Sequence, residues 1–248
     1  MKRFAIGFFV AICALTGTAY AGAVPDYVAA AVSDAARPEK DRARDADREP
    51  AAIMTLTGVK PGDHIVDVGP GAGYYTRIFS RIAGGKGKVT GFNPTWVAEK
   101  FPTAVQAMAG LAASGYANVE GLVQPMAEIK FDKPVNLIFM SQVYHDQVWQ
   151  KIDIAKMNKA IFDALKPGGV FFLIDHIGRG VTSVEQIDKL HRIDPALVKQ
   201  QILAAGFELA EDSDVLRNPY DLGDKSVFSP AIRGRTDQFV FKFRKPRN

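Results

Sequence analysis

Between His64 and Thr76 the chain reads His-Ile-Val-Asp-Val-Gly-Pro-Gly-Ala-Gly-Tyr-Tyr-Thr, and no other stretch restricts the possible folds so tightly. A short β-branched run passes through an acid, Asp67, glycines alternate at 69, 71 and 73, and an amphipathic segment from Tyr75 to Ile82 follows at once. The pattern predicts a strand, a tight turn and a helix. Glycine lets the backbone turn sharply and lets a ligand approach where a Cβ would intrude. The unpaired N–H groups of the helix start then suit a polar ligand. Spacing separates the candidate ligands: a dinucleotide-binding loop needs its third glycine where this chain has Tyr74, which disfavours a nicotinamide-dependent oxidoreductase.

The extreme N-terminus reads as a leader rather than as part of the fold. Lys2 and Arg3 precede an apolar run from Phe4 to Leu15, and Ala19-Tyr20-Ala21 has the small-x-small form of a cleavage site. Residues 1–21 are therefore expected to be a cleaved signal peptide, and the protein to be exported, periplasmic or secreted. The apolar run is too short for a stable membrane anchor. Ile12 is too large for the position before a lipidated Cys13. That cysteine is the single one in the chain and would leave with the leader, so no disulfide would hold the remainder. Residues 22–248, with near-average apolar content, are enough for one domain with its own core. The formal charge is +4, half of it from Lys2 and Arg3, which gives no case for nucleic acid. Nothing in the sequence fixes the oligomeric state.

Residues 22–52 form an N-terminal helical and charged segment. Val24 to Ser33 is a small-residue helix candidate, and Arg37 to Glu49 carries five basic and five acidic residues, as a solvated helix or linker with interleaved ion pairs would. Gly58-Val59-Lys60-Pro61-Gly62-Asp63 is a turn that feeds the first strand. That run-in, with an acid two residues before three alternating glycines, resembles motif I of the class I S-adenosylmethionine-dependent methyltransferases. About a hundred residues later, Leu165-Lys166-Pro167-Gly168-Gly169 resembles the turn before the fifth strand of the same enzymes. The runs His191-Arg192-Ile193-Asp194, Arg217-Asn218-Pro219 and Arg233-Gly234-Arg235-Thr236-Asp237 narrow the likeness to exported bacterial proteins known as predicted methyltransferases. For residues 53–248 the resemblance implies an α/β fold: a Rossmann-like class I methyltransferase sandwich, whose seven-stranded, mostly parallel sheet carries helices on both faces. A helix is expected from Trp96 to Ala113, kinked or started by Pro102.

The resemblance also implies S-adenosylmethionine as cofactor, with Asp67, Gly69, Gly71 and Gly73 forming its loop. Where the family has an acid for the two ribose hydroxyls this chain has Asn93, whose amide oxygen can accept from one of them. On the adenine side Gln124 or Met126 replaces an acid. In the family a helix before the first strand often folds over the cofactor, so the resemblance implies that Arg48 or Asp45 faces the site. The most chemical stretch, Ser141-Gln142-Val143-Tyr144-His145-Asp146, follows a continuous apolar strand, and Asp175-His176 ends the next one. Strand ends are where open α/β sheets bind ligands. Tyr144, His145 and His176 are thus expected to face a small-molecule acceptor, with either histidine as general base. His64 and His191 read as structural. His145, Asp146, Asp175 and His176 show no short metal-ligand spacing, and no metal ligand is assigned. Asn218-Pro219-Tyr220 reads as a turn. The expected activity is methyl transfer. The alternative is an exported binding protein that kept the fold without catalysis, since both cofactor acids are replaced.

Overall fold

The computed structural model describes residues 22–247, so the expected leader lies outside the described residues. The strands are β1 (His64–Val68), β2 (Lys88–Pro94), β3 (Val119–Gln124), β4 (Val135–Ser141), β5 (Leu165–His176), β6 (Glu208–Ser213) and β7 (Gln238–Arg244). They form one sheet in the order β3-β2-β1-β4-β5-β7-β6. Neighbours from β3 through β5 run parallel, and β7 lies antiparallel between β5 and β6. This is the seven-stranded, mostly parallel sheet that the sequence led us to expect.

The helices are α1 (Asp26–Val32), α2 (Glu39–Arg42), α3 (Asp45–Arg48), α4 (Pro50–Thr57), α5 (Tyr74–Ala83), α6 (Thr95–Lys100), α7 (Pro102–Ala113), α8 (Tyr144–Trp149), α9 (Ile154–Ala164), α10 (Val184–Leu190) and α11 (Pro195–Leu203). Side chains alternate across the strands, so a sheet buried on both faces feeds two cores. Ile65, Leu137, Phe139 and Phe172 meet Val28, Ile53, Ile78 and Met108 from α1, α4, α5 and α7. Val66, Val68, Ile138 and Phe171 meet Met157, Ile187 and Val198 from α9, α10 and α11. Strand order reverses between β1 and β4, and the crevice beyond their carboxyl ends is the place such a sheet offers to a ligand.

Three local readings are revised. The stretch from Trp96 to Ala113 is two helices, because Pro102 cannot donate an N–H and instead opens α7. The Lys-Pro-Gly-Gly turn lies inside β5, where Gly168 at φ 75° accompanies a register shift against β4. The charged segment forms the short helices α2 and α3 with ion pairs, as expected, but it is docked on the fold and not free in solvent. Arg37 and Asp41 are buried, Arg37 pairs with Asp45 at 2.7 Å, and Arg77 and Arg81 on α5 reach back to Asp41 and Asp34. The expected boundary at residues 52/53 falls within α4, whose Ile53, Met54 and Leu56 share a core with Val28. No helix among the described residues is long and apolar enough to cross a membrane.

Candidate active site

The loop after β1 has the three positive-φ glycines that the spacing implied: 65° at Gly69, 54° at Gly71 and 87° at Gly73. A Cβ on Gly69 would lie 2.9 Å from the Val143 side chain, whereas Gly71 faces open space. The loop is therefore pressed against the β4 exit on one side and accessible on the other. Gly73 caps α5. Asp67 is buried and its Oδ2 accepts from the Thr76 hydroxyl at 2.6 Å, tying the strand to the first turn of α5. Burial pushes this carboxyl up to about 7, against the opposing pull of the Thr76 hydrogen bond and the Arg48 charge.

Asn93 lies beside the loop near the end of β2, and Gly69 N–H donates to Phe92 O at 2.8 Å. Only 1% of Asn93 is exposed, yet neither Oδ1 nor Nδ2 has a hydrogen-bond partner. Leaving such atoms unpaired costs about 1–3 kcal/mol each. One unsatisfied acceptor and one unsatisfied donor group beside an accessible glycine turn suit a ligand with vicinal hydroxyls. By this measure the residues present fit S-adenosylmethionine. Two other expected contacts turn elsewhere. Gln124 Oε1 accepts from Lys130 N at 3.0 Å, and its side chain lines a groove with His64 and Lys88, the residues that open β1 and β2. Met126 is buried in the core with Val66, Val68 and Met140.

A cavity of about 490 Å³ opens among Arg44, Arg48, Gln142, His176, Phe228 and Arg233, with Thr236 and Gln238 also in its wall. Three arginines there face one aspartate, Asp47. The charged segment supplies two of them because its ion pairs fold it onto α5. Asp45 accepts from the Tyr74 hydroxyl at 2.6 Å, and the Arg48 guanidinium lies over the Tyr74 and Tyr75 rings at 4.8 and 5.4 Å. Arg48 also reaches Gln142 Oε1 at 3.4 Å. Gln142 has φ 62°, a left-handed conformation rare for a side chain of its size, and its Nε2 donates to Gln238 Oε1 at 2.9 Å. Of the residues anticipated over the site, Arg48 therefore reaches the cavity wall, while Asp45 stands behind it holding Arg37 and Tyr74.

The rim residues separate sharply. Tyr144 is fully buried; its hydroxyl accepts from Asn158 at 2.9 Å and donates to Gln201 at 3.1 Å, so it is a core residue and not an acceptor contact. His145 is also buried, held through Nδ1 by Asp175 at 2.7 Å and through Nε2 by Asp146 at 3.2 Å. Burial opposes its charge, but the two carboxylates outweigh burial and push the imidazole up to about 10. Both of its ring nitrogens are turned to carboxylates, and His145 is not among the residues that line the cavity. His176 lines the cavity instead. Its Nδ1 is bonded to Thr236 Oγ1 at 2.7 Å, and burial holds it down at about 3, so the ring is neutral with Nε2 left for a ligand. Asp175 organises both histidines: it accepts from the backbone N–H of His145 at 2.9 Å and of His176 at 2.8 Å. Tyr220 is exposed, in keeping with a turn.

Sequence reasoning missed Arg44, Gln142, Phe228 and Arg233 as cavity residues. Gln142 sat inside the stretch singled out, and Arg233 and Thr236 inside a run quoted only for resemblance. His191, read as structural, stands against Asp146, with Nδ1 to Oδ1 at 3.6 Å.

Residues 40–204 match the model of the protein-L-isoaspartate(D-aspartate) O-methyltransferase family. No curated protein matches the chain. Among solved structures, a SAM dependent methyltransferase from Aquifex aeolicus is similar over 84% of this chain and 98% of its own, at 22% identity and a TM-score of 0.57. Fibrillarin from Aeropyrum pernix, crystallised with natively bound S-adenosyl-L-methionine, is similar over 81% of this chain and 76% of its own, at 15% identity and a TM-score of 0.52. The cyclase SpnF is similar over 84% of this chain and 82% of its own, at 20% identity and a TM-score of 0.58. At these identities the structures share the fold.

Proposed function

Because the chain belongs to the protein-L-isoaspartate(D-aspartate) O-methyltransferase family and is an S-adenosylmethionine-dependent methyltransferase, we propose that its acceptor is a small molecule whose carboxylate oxygen takes the methyl group. The observation that carries this reading is the cavity that Arg44, Arg48 and Arg233 line, with Arg48 over the Tyr74 and Tyr75 rings that follow the glycine loop. Guanidinium groups match carboxylates in charge and planar geometry. The volume, about 490 Å³, lies in the range of small-molecule sites. The family takes its name from O-methylation of isoaspartate and D-aspartate in proteins, which are also acids.

S-adenosylmethionine supplies a methyl on a sulfonium, a leaving group already activated for in-line attack. A carboxylate is ionised at neutral pH and needs no base, so the residues must mainly hold it in line. Arg48 and Arg233 would fix the anion, and neutral His176 would accept a hydrogen bond from a neighbouring polar group of the acceptor without adding charge. Asp67, Gly69, Gly71 and Gly73 would shape the cofactor turn, with Asn93 at the ribose. The leader expected at residues 1–21 makes the protein exported in this reading; a periplasmic form beginning at Gly22 would support that.

Asn93 also motivates the second reading, a binding protein without catalysis. Isothermal titration with S-adenosylmethionine and its demethylated product separates the two. We expect binding by the wild-type protein and tighter binding by Asn93→Asp, because a carboxylate accepts from both ribose hydroxyls. Absence of heat at about millimolar ligand in both proteins, a binding free energy weaker than about −4 kcal/mol, refutes the methyltransferase assignment of this site.

A further inference from the structure

Beside the cavity, three side chains that the proposed methyl transfer does not use converge. His145 Nε2 lies 3.2 Å from Asp146 Oδ1, and His191 Nδ1 lies 3.6 Å from the same oxygen. One ligand atom from each of the three residues falls within 4.8 Å of the others. Ligand atoms around a tetrahedral cation with bonds of about 2.1 Å stand about 3.4 Å apart. Two of the three spacings are already near that value.

We propose that His145, Asp146 and His191 form a binding site for a divalent first-row transition cation, with zinc as its representative. Two imidazole nitrogens and one carboxylate are a borderline donor set, better suited to such ions than to calcium or magnesium.

The surroundings of each ligand support the assignment. The other nitrogen of His145 is held by Asp175 at 2.7 Å, the carboxylate–histidine arrangement that fixes an imidazole for metal binding. Trp149 Nε1 donates to Asp146 Oδ1 at 2.8 Å and sets that carboxylate. His191 ends α10 at φ 52°, a left-handed conformation seldom adopted by a residue with a Cβ, and its ring is edge-on to Trp149 and Phe228 at 5.9 and 4.7 Å between centroids. The same conformation ends the helix, with His191 N–H donating to Ile187 O, and leaves the ring turned toward Asp146.

Three protein ligands leave a coordination position open. The Asp146 and His191 side chains are 17% and 21% exposed, so a cation and its water have a way in. Phe228, against which His191 leans, is also a wall of the arginine-lined cavity, and the His176 ring is 5.8 Å from that of His145. The cation would therefore stand next to the acceptor cavity.

The test uses the full chain stripped with a chelator and titrated with Zn²⁺ alone, followed by calorimetry, and with Co²⁺, followed by visible absorption. Both tryptophans of the chain are close by, Trp149 at the site and Trp96 with its ring 6.3 Å from that of Trp149, so Co²⁺ should also quench their fluorescence. We expect 1:1 Zn²⁺ binding that weakens at least about tenfold in His191→Asn and in Asp146→Asn, with the Co²⁺ absorption lost in both. Asparagine tolerates the left-handed backbone at 191, and circular dichroism identifies any variant that fails to fold. Wild-type protein without saturable binding at about 100 μM Zn²⁺, or folded variants that bind as tightly as wild type, overturns the site. S-adenosylmethionine takes no part, so this result and the methyltransferase reading stand or fall separately.

Discussion

Asp67 should be a carboxylate that the metal-free, cofactor-free protein would be more stable without. Its pKa moves from an ordinary 3.8 to about 7 on folding because it is buried with only Thr76 as close partner. At low pH the group is protonated in both folded and unfolded chains. As pH rises past 4 the unfolded chain loses the proton first, so stability declines until the folded carboxyl also ionises near 7, and is level above that. Each pH unit of that gap is worth about 1.4 kcal/mol, so ionised Asp67 costs up to about 4 kcal/mol. Asp67→Asn keeps the acceptor oxygen for Thr76 and removes the charge. In urea denaturation at a series of pH values, the stability of the variant minus that of wild type should grow between pH 4 and 8 by up to about 4 kcal/mol. Taking the difference cancels every group the two proteins share. A difference constant to within about 1 kcal/mol over that range would show that the carboxyl is not strained by burial, and the argument would fail.

Tyr144→Phe removes a hydroxyl that Asn158 donates to and that reaches Gln201; thermal melting should show a loss of about 1–3 kcal/mol while S-adenosylmethionine affinity is unchanged. Asp221→Asn should cost about 3–5 kcal/mol in the same measurement, since Arg192 is fully buried and its Nη2 donates to both Asp221 oxygens at 3.0 and 2.9 Å. In thermal-shift screens at low salt, small carboxylates should stabilise the protein more than small amines, and Arg233→Gln should abolish that preference; equal shifts from both classes would count against an anionic acceptor.

The sheet was legible because its determinants are local. A glycine turn, a proline-glycine turn and apolar runs of strand length each declare themselves within a dozen residues. The site was legible only in part, because two elements reorient what the sequence places side by side. Tyr144, His145 and Asp146 were read as a strand end, where neighbours point oppositely; α8 begins at Tyr144, so they fan around a helix and Tyr144 enters the core. His191 and Asp146 lie far apart in sequence and meet because α10 stacks on α8. Composition showed the charged segment to be balanced in sign, but not that Arg77 and Arg81 would pull it onto α5 and thereby bring Arg44 and Arg48 to the cavity.

The place of β7 bears on how the chain must be made. It is the last strand in sequence among those described, yet it occupies an interior slot, flanked by β5 and β6. Until residues 238–244 have been synthesised, β5 presents a bare edge of unpaired N–H and C=O groups, and β6 has no neighbour to join. The preceding strands can pair as they emerge, but the cavity wall that includes Thr236 and Gln238 comes only with the final stretch. Ligand binding thus waits on residues 236–244, and the interval before they are made is the time at which a β5 edge is open to pairing with another copy.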